Sequence, residues 1–131
     1  MRAIWQRPHP EIPKSEALVR VTVVYMIALF VAGLVLILST AEPLWRALWA
    51  DLAATLVVFG ASRWHRNSSF YDAFWSVIPP VLMLWWMVVG SSASTLREML
   101  VLALLLFWAT RLTCHWAYYW PGLHHEDWRY G

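Results

Sequence analysis

Residues 96–122 read LREMLVLALLLFWATRLTCHWAYYWPG. From Leu96 to about Trp116 the stretch is apolar, and Pro121-Gly122 closes it. At about 1.5 Å of rise per residue, such a run crosses a bilayer as a helix. Near its end it carries Arg111 and His115, four residues apart and therefore on one helical face. Groups of this kind are expensive in lipid, so the fold has to receive them. A spanning helix with a polar face implies a membrane bundle whose interior, at one level, is not purely hydrocarbon.

Composition extends that reading to the whole chain. Of 131 residues, 60% are hydrophobic and only 14% charged, against about a quarter charged in soluble domains. A soluble protein of this size has too little interior to hide so much apolar surface. The apolar residues fall into runs at about 17–39, 44–62, 70–90 and 96–116. The expected fold is all-α, an integral membrane bundle of four transmembrane helices. The 11 tryptophans cluster near run ends or beside polar residues, as interface anchors do. Net charge is +2 without a basic stripe, which argues against nucleic acid as a partner. The single cysteine, Cys114, excludes an internal disulfide.

Residues 1–16 form a polar tail whose Pro8, Pro10 and Pro13 favour an extended segment. The first run, followed by Ser39-Thr40-Ala41, has a signal peptide as its rival reading. Its apolar stretch is too long and the preceding tail too extended for that. In the second run, Arg46 can snorkel to the interface, whereas Asp51 lies well inside. A carboxylate there costs about 2.5–3.5 kcal/mol on insertion scales. Asp51 is expected to serve helix packing, with Thr55 one turn on. Pro79-Pro80 in the third run should kink or break the helix near Ser76.

Lysine and arginine set orientation. With the N-terminus inside, Arg2, Arg7, Lys14, Arg20, Arg63, Arg66 and Arg129 all fall on the cytoplasmic side, with Arg111 close by. Only Arg46 and Arg97 then lie outside. Both termini are therefore expected in the cytoplasm, in a bacterial inner membrane.

A second polar cluster, Arg63 to Ser76, lies on that same side. If the third and fourth runs form a hairpin turning near Ser92 or Ala93, Asp72 matches the depth of Cys114. Arg111 and His115 straddle that depth and are expected to point at Asp72. Trp108 and Tyr118 would extend their face. Asn67, Ser68, Tyr71, Asp72, Arg111, His115, Glu126, Asp127, Arg129 and Tyr130 would then share one membrane level, more polar groups than a fold alone needs. The plainer reading is an Asp72–Arg111 ion pair that pins the hairpin. His115, His124 and His125 lack the spacing of a metal site, and no metal is expected. Asn67-Ser68-Ser69 matches a glycosylation acceptor but falls on the expected cytoplasmic side.

Three blocks of residues carry a family resemblance. They are Asn67, Ser69, Tyr71, Asp72, Trp75 and Ser76; then Trp108, Arg111 and Leu112; then Glu126-Asp127-Trp128-Arg129-Tyr130. In this order and spacing, over about residues 51–131, the chain resembles the DUF1295 family. That family is steroid 5-alpha-reductase-like and related to isoprenylcysteine methyltransferases. The resemblance implies NADPH-dependent reduction of an activated carbon–carbon double bond in a lipid-like substrate. It implies cofactor-binding roles for Asn67, Asp72, Arg111, Glu126, Asp127 and Arg129. Tyr71, Tyr118 and His115 are the candidate catalytic groups. Members of the family are longer, so the chain is expected to be an N-terminal half that needs a separate C-terminal half for activity. Two rival readings stand beside this one. The first is a small non-enzymatic membrane protein or assembly partner with a structural Asp72–Arg111 pair. The second is a methyltransferase relative that binds S-adenosylmethionine.

Overall fold

The computed structural model describes residues 12–90 and 95–124. Among these the regular elements are all helices: α1 Lys14–Leu38, α2 Pro43–His65, α3 Ser69–Asp72, α4 Phe74–Val89 and α5 Leu96–Tyr119. With α3 and α4 taken together as Ser69–Val89, four segments are long and apolar enough to cross a membrane.

The ends follow from local chemistry. Helix α1 begins at Lys14, earlier than the expected Ala17, because Pro13 is a natural boundary and its carbonyl accepts from the Ala17 N–H at 3.0 Å. Glu16 and Arg20 then pair across one turn at 2.7 Å. Glu42 is extended and Pro43 opens α2, where its missing N–H costs nothing. Arg46 reaches back so that its Nε donates to the Ala41 carbonyl at 2.6 Å, tying down the turn between α1 and α2. Thr95 and Glu98 form a reciprocal capping box at the start of α5.

Helix α2 stops in an unusual way. Arg66 adopts the left-handed conformation with φ 50°, which costs a non-glycine residue about 1–2 kcal/mol. It does so in a Schellman arrangement: Asn67 N–H donates to Ser62 O at 3.0 Å and Arg66 N–H to Arg63 O at 3.3 Å.

Lipid tails are as apolar as leucine, so burying leucine does not by itself drive one helix onto another in a membrane. Close backbone approach does, and here alanine permits it. The buried residues of α1 are Ala17, Val21, Tyr25, Ala28 and Ala32; those of α2 are Ala47, Ala50, Ala54 and Val58. Both series advance by three or four residues, one face of each helix, and the two antiparallel helices meet along them. Large apolar side chains such as Phe30, Leu56, Leu104 and Phe107 are exposed on the outside of the bundle, where lipid would meet them.

The third crossing differs from its sequence expectation. The break falls at Ala73, between α3 and α4, rather than near Ser76, and Pro79 and Pro80 lie inside α4. The two prolines leave the carbonyls of Trp75 and Ser76 without their usual helical donors. The chain takes up the misfit earlier, where Ser76 N–H and Oγ both donate to the Ala73 carbonyl at 3.2 and 2.8 Å. Ser76 Oγ also shares a 2.8 Å hydrogen bond with Thr113 Oγ1 of α5. That contact fixes the register of the α4–α5 hairpin.

Asp51 is half-buried at the edge of the alanine face of α2, and Thr55 is half-buried one turn on.

Candidate functional site

Polar structure concentrates at the end of the bundle where α1 starts, α2 stops and α5 stops. Asn67 organises it. Its side chain is almost fully buried. Its Nδ2 donates to the Leu123 carbonyl at 3.0 Å, and its Oδ1 accepts from the Ser69 N–H at 2.9 Å. One amide thus joins the α2–α3 turn to the segment that follows α5. Trp120 and Leu123, from that segment, are buried in the same core as Ala17, Val21, Tyr25 and Phe70. Gly122 makes the return possible with φ 120°, a conformation open to glycine and strained for other residues. Tyr25 reaches across from α1, its hydroxyl donating to the Phe70 carbonyl at 2.6 Å. Lys14 Nζ donates to the Tyr118 carbonyl at 2.7 Å, holding the start of α1 against the end of α5.

The sequence-derived site residues separate into groups. Asn67, Tyr71 and Asp72 belong to the turn and α3. Tyr71 packs against the core, with its ring 5.8 Å from Phe74 and 5.1 Å from Trp75. Asp72 is half-buried and within electrostatic reach of Tyr25. Arg111, His115 and Tyr118 belong to α5 and are all exposed. Glu126, Asp127 and Arg129 lie outside the described residues.

The expected convergence of Arg111 and His115 on Asp72 is corrected by the hairpin register. Counting one turn from the Ser76–Thr113 contact places Asp72 level with Ala117, not with Cys114. Azimuth matters more. Successive residues turn by about 100° around a helix, so positions two before and two after Thr113 lie on its far side. Those positions are Arg111 and His115. The face of α5 toward α4 carries buried Ala109 and half-buried Leu102, Leu105, Thr113 and Trp116. The opposite face carries Trp108, Arg111, His115 and Tyr118, all exposed. Hairpin arithmetic gives depth to within about a turn; it does not give direction, and direction separates the two groups.

Sequence reasoning also missed two contributors. Tyr25 lies in a run of otherwise apolar residues, and a phenol near a helix start reads as an interface anchor. Thr113 carries no charge to draw attention; the polar Ser76 at matching depth is the signal that pairs it. Chemically, the end of the bundle offers a rigid, hydrogen-bonded platform from α3 and a separate cationic and aromatic strip on α5.

A family model described as a protein of unknown function (DUF1295) matches residues 58–131, more than half of the chain. The chain belongs to the DUF1295 family. No curated protein and no solved structure matches it. Within this DUF1295 protein the matched part begins at Val58 and takes in the last turns of α2, the Asn67 turn and the α3–α5 hairpin. Helix α1 and most of the alanine seam precede it. Tyr25 and Lys14 therefore brace a family segment from outside its matched span.

Proposed function

We propose that this DUF1295 protein is the N-terminal part of a membrane-embedded, NADPH-dependent reductase. It acts on an activated carbon–carbon double bond of a lipid-like substrate and belongs with the steroid 5-alpha-reductase-like proteins. Both chain ends lie on the cytoplasmic side of a bacterial inner membrane, where a soluble nucleotide reaches Arg111. The observation that carries this reading is the polar face of α5. An arginine, a histidine and a tyrosine are turned out of the described helices, within a segment apolar enough to span. A spanning helix retains such a face when something polar meets it. In this reading the missing wall comes from a C-terminal half.

Residues of this chain fit the roles unequally. When bound, NADPH supplies the hydride. Arg111, exposed and planar at its head, suits a phosphate or carboxylate oxygen of the cofactor. His115 and Tyr118, on the same face, are placed to donate a proton or hydrogen bond toward a substrate carbonyl. Asn67 has its amide committed to Leu123 and Ser69, and acts by holding the α3 platform in place. Tyr71 is packed among rings and does the same.

The test is reconstitution. With a C-terminal half supplied, the chain should consume an enone chromophore only when NADPH is present. Arg111→Lys should lower that rate on the order of 10- to 100-fold. The melting temperature should stay unchanged, because Arg111 lies on an exposed face. No NADPH-dependent consumption by the reconstituted wild-type chain, together with Arg111→Lys that lowers only the yield of folded protein, would favour the non-enzymatic reading, which the structural use of Asn67 and Ser76 supports. Binding of S-adenosylmethionine in place of NADPH would identify a methyltransferase relative.

A further inference from the structure

We infer that this chain pairs with a second copy of itself through α2, with Asp51 and Thr55 at the contact. Asp51 lies about 12 Å from the Pro43 end of α2 and about 21 Å from the His65 end, at about 1.5 Å of rise per residue. It is therefore well within the hydrocarbon, where a carboxyl group without a polar partner is costly. Among the described residues Asp51 makes no hydrogen bond and no ion pair. The helices packed against α2 hold no partner for it. Residues 26–38 of α1 and all of α4 lack a titratable group, and α3 lies at the distant His65 end. Tyr25 is bonded to Phe70, and Ser76 to Ala73 and Thr113. Arg46, on the same helix, donates to the Ala41 carbonyl.

Thr55 supplies the second observation. The hydroxyls of Thr22 and Ser62 donate to the carbonyl four residues back, each at 2.9 Å, the bond open to a hydroxyl in an apolar helix. The Thr55 hydroxyl, one turn beyond Asp51 and on the same face, makes no such bond. A donor and an acceptor thus stand side by side on one half-buried strip of α2, both unused. Exposed Leu44, Leu48, Leu52 and Phe59 edge that strip. Leu44, Leu48, Asp51 and Thr55 recur at spacings of four, three and four, the pattern of a seam between two helices. A lipid tail leaves the carboxyl group unpaired. A second copy in the same orientation does not. A twofold axis along the membrane normal makes the two α2 helices parallel and sets each Asp51 at the depth of the other. The two carboxyl groups then share a proton across the axis, and the Thr55 hydroxyls donate to the carboxyl oxygens that remain. Any other partner needs its own polar group at that depth, whereas the twofold supplies one. Asp51 and Thr55 precede the family-matched span, which starts at Val58, so the pairing does not rest on the reductase reading.

Sedimentation equilibrium of the full chain in detergent measures the pairing, and disulfide crosslinking in membranes locates its face. The wild-type chain should dimerise reversibly. Asp51→Leu should weaken the dimer on the order of 10-fold, and Thr55→Val on the order of 3-fold. Asp51→Asn, which still donates and accepts, should keep it. At dilutions where both are monomeric, Asp51→Leu should melt no lower than wild type. In a Cys114→Ala background, Leu48→Cys should crosslink two copies under mild oxidation, and Leu56→Cys, which faces away from the strip, should not. A wild-type chain that stays monomeric, or a dimer that Asp51→Leu leaves unchanged, would overturn the assignment. Retention of a different protein by monomeric wild type, lost in Asp51→Leu, would give the strip to another partner and overturn it as well.

Discussion

Ala54→Phe is expected to unseat α1 from α2 and to destabilise the protein by about 3 kcal/mol, the upper part of the range for overpacking. Ala54 has no exposed surface and lies midway along the buried series Ala47, Ala50, Ala54 and Val58. The buried face of α1, with Tyr25, Ala28 and Ala32, shares one core with Ala54, so a ring there has to push the two helices apart. Two helices held by close approach cannot separate slightly and keep most of their contact energy, since dispersion falls steeply with distance. Leu56→Phe, a change of similar kind on an exposed position of the same helix, should shift stability by less than about 0.5 kcal/mol. Unfolding of both variants in the same detergent compares them directly. Equal effects would mean that the seam does not hold these helices together.

Asn67→Ala is expected to cost a similar amount, about 3 kcal/mol, by another route. Removing the amide leaves the Leu123 carbonyl and the Ser69 N–H without their partner. Each buried orphan costs about 1–3 kcal/mol. Asn67→Asp is the sharper variant. It keeps an oxygen for the Ser69 N–H but sets a carboxylate against the Leu123 carbonyl, so it should be as damaging as alanine. The segment after α5 should then come loose, and proteolysis should cut beyond Trp120 faster in both variants. If Asn67 instead served a ligand alone, both variants would melt like wild type and only binding would change.

Much of the architecture could be read from residues. Hydropathy located the spans because a run of about 20 apolar residues has few other uses in a chain this short. The alanine seam escaped notice because alanine counts as apolar in the same way as the leucines that face outward. Only its spacing of three and four, at positions 28 and 32 of α1 and 47, 50 and 54 of α2, marks it as a contact face. The proline pair located a bend within a turn, but Ala73 yields where Ser76 can satisfy the strained carbonyl. The site was half legible. Its described members, Asn67, Tyr71, Asp72, Arg111, His115 and Tyr118, lie toward one end of the bundle, as their positions along the spans require. Which way α5 faces depends on Thr113 meeting Ser76, a contact between two small hydroxyls that no charge pattern announces.

The rotation of α5 divides the site: Thr113 faces inward, Arg111 and His115 outward. Paired cysteines read that rotation in the membrane, in a Cys114→Ala background. Ser76→Cys with Thr113→Cys should crosslink rapidly under mild oxidation, whereas Asp72→Cys with Arg111→Cys should not. Rapid crosslinking of the second pair and none of the first would turn the α5 polar face back toward α3, and the division of the site described above would be wrong.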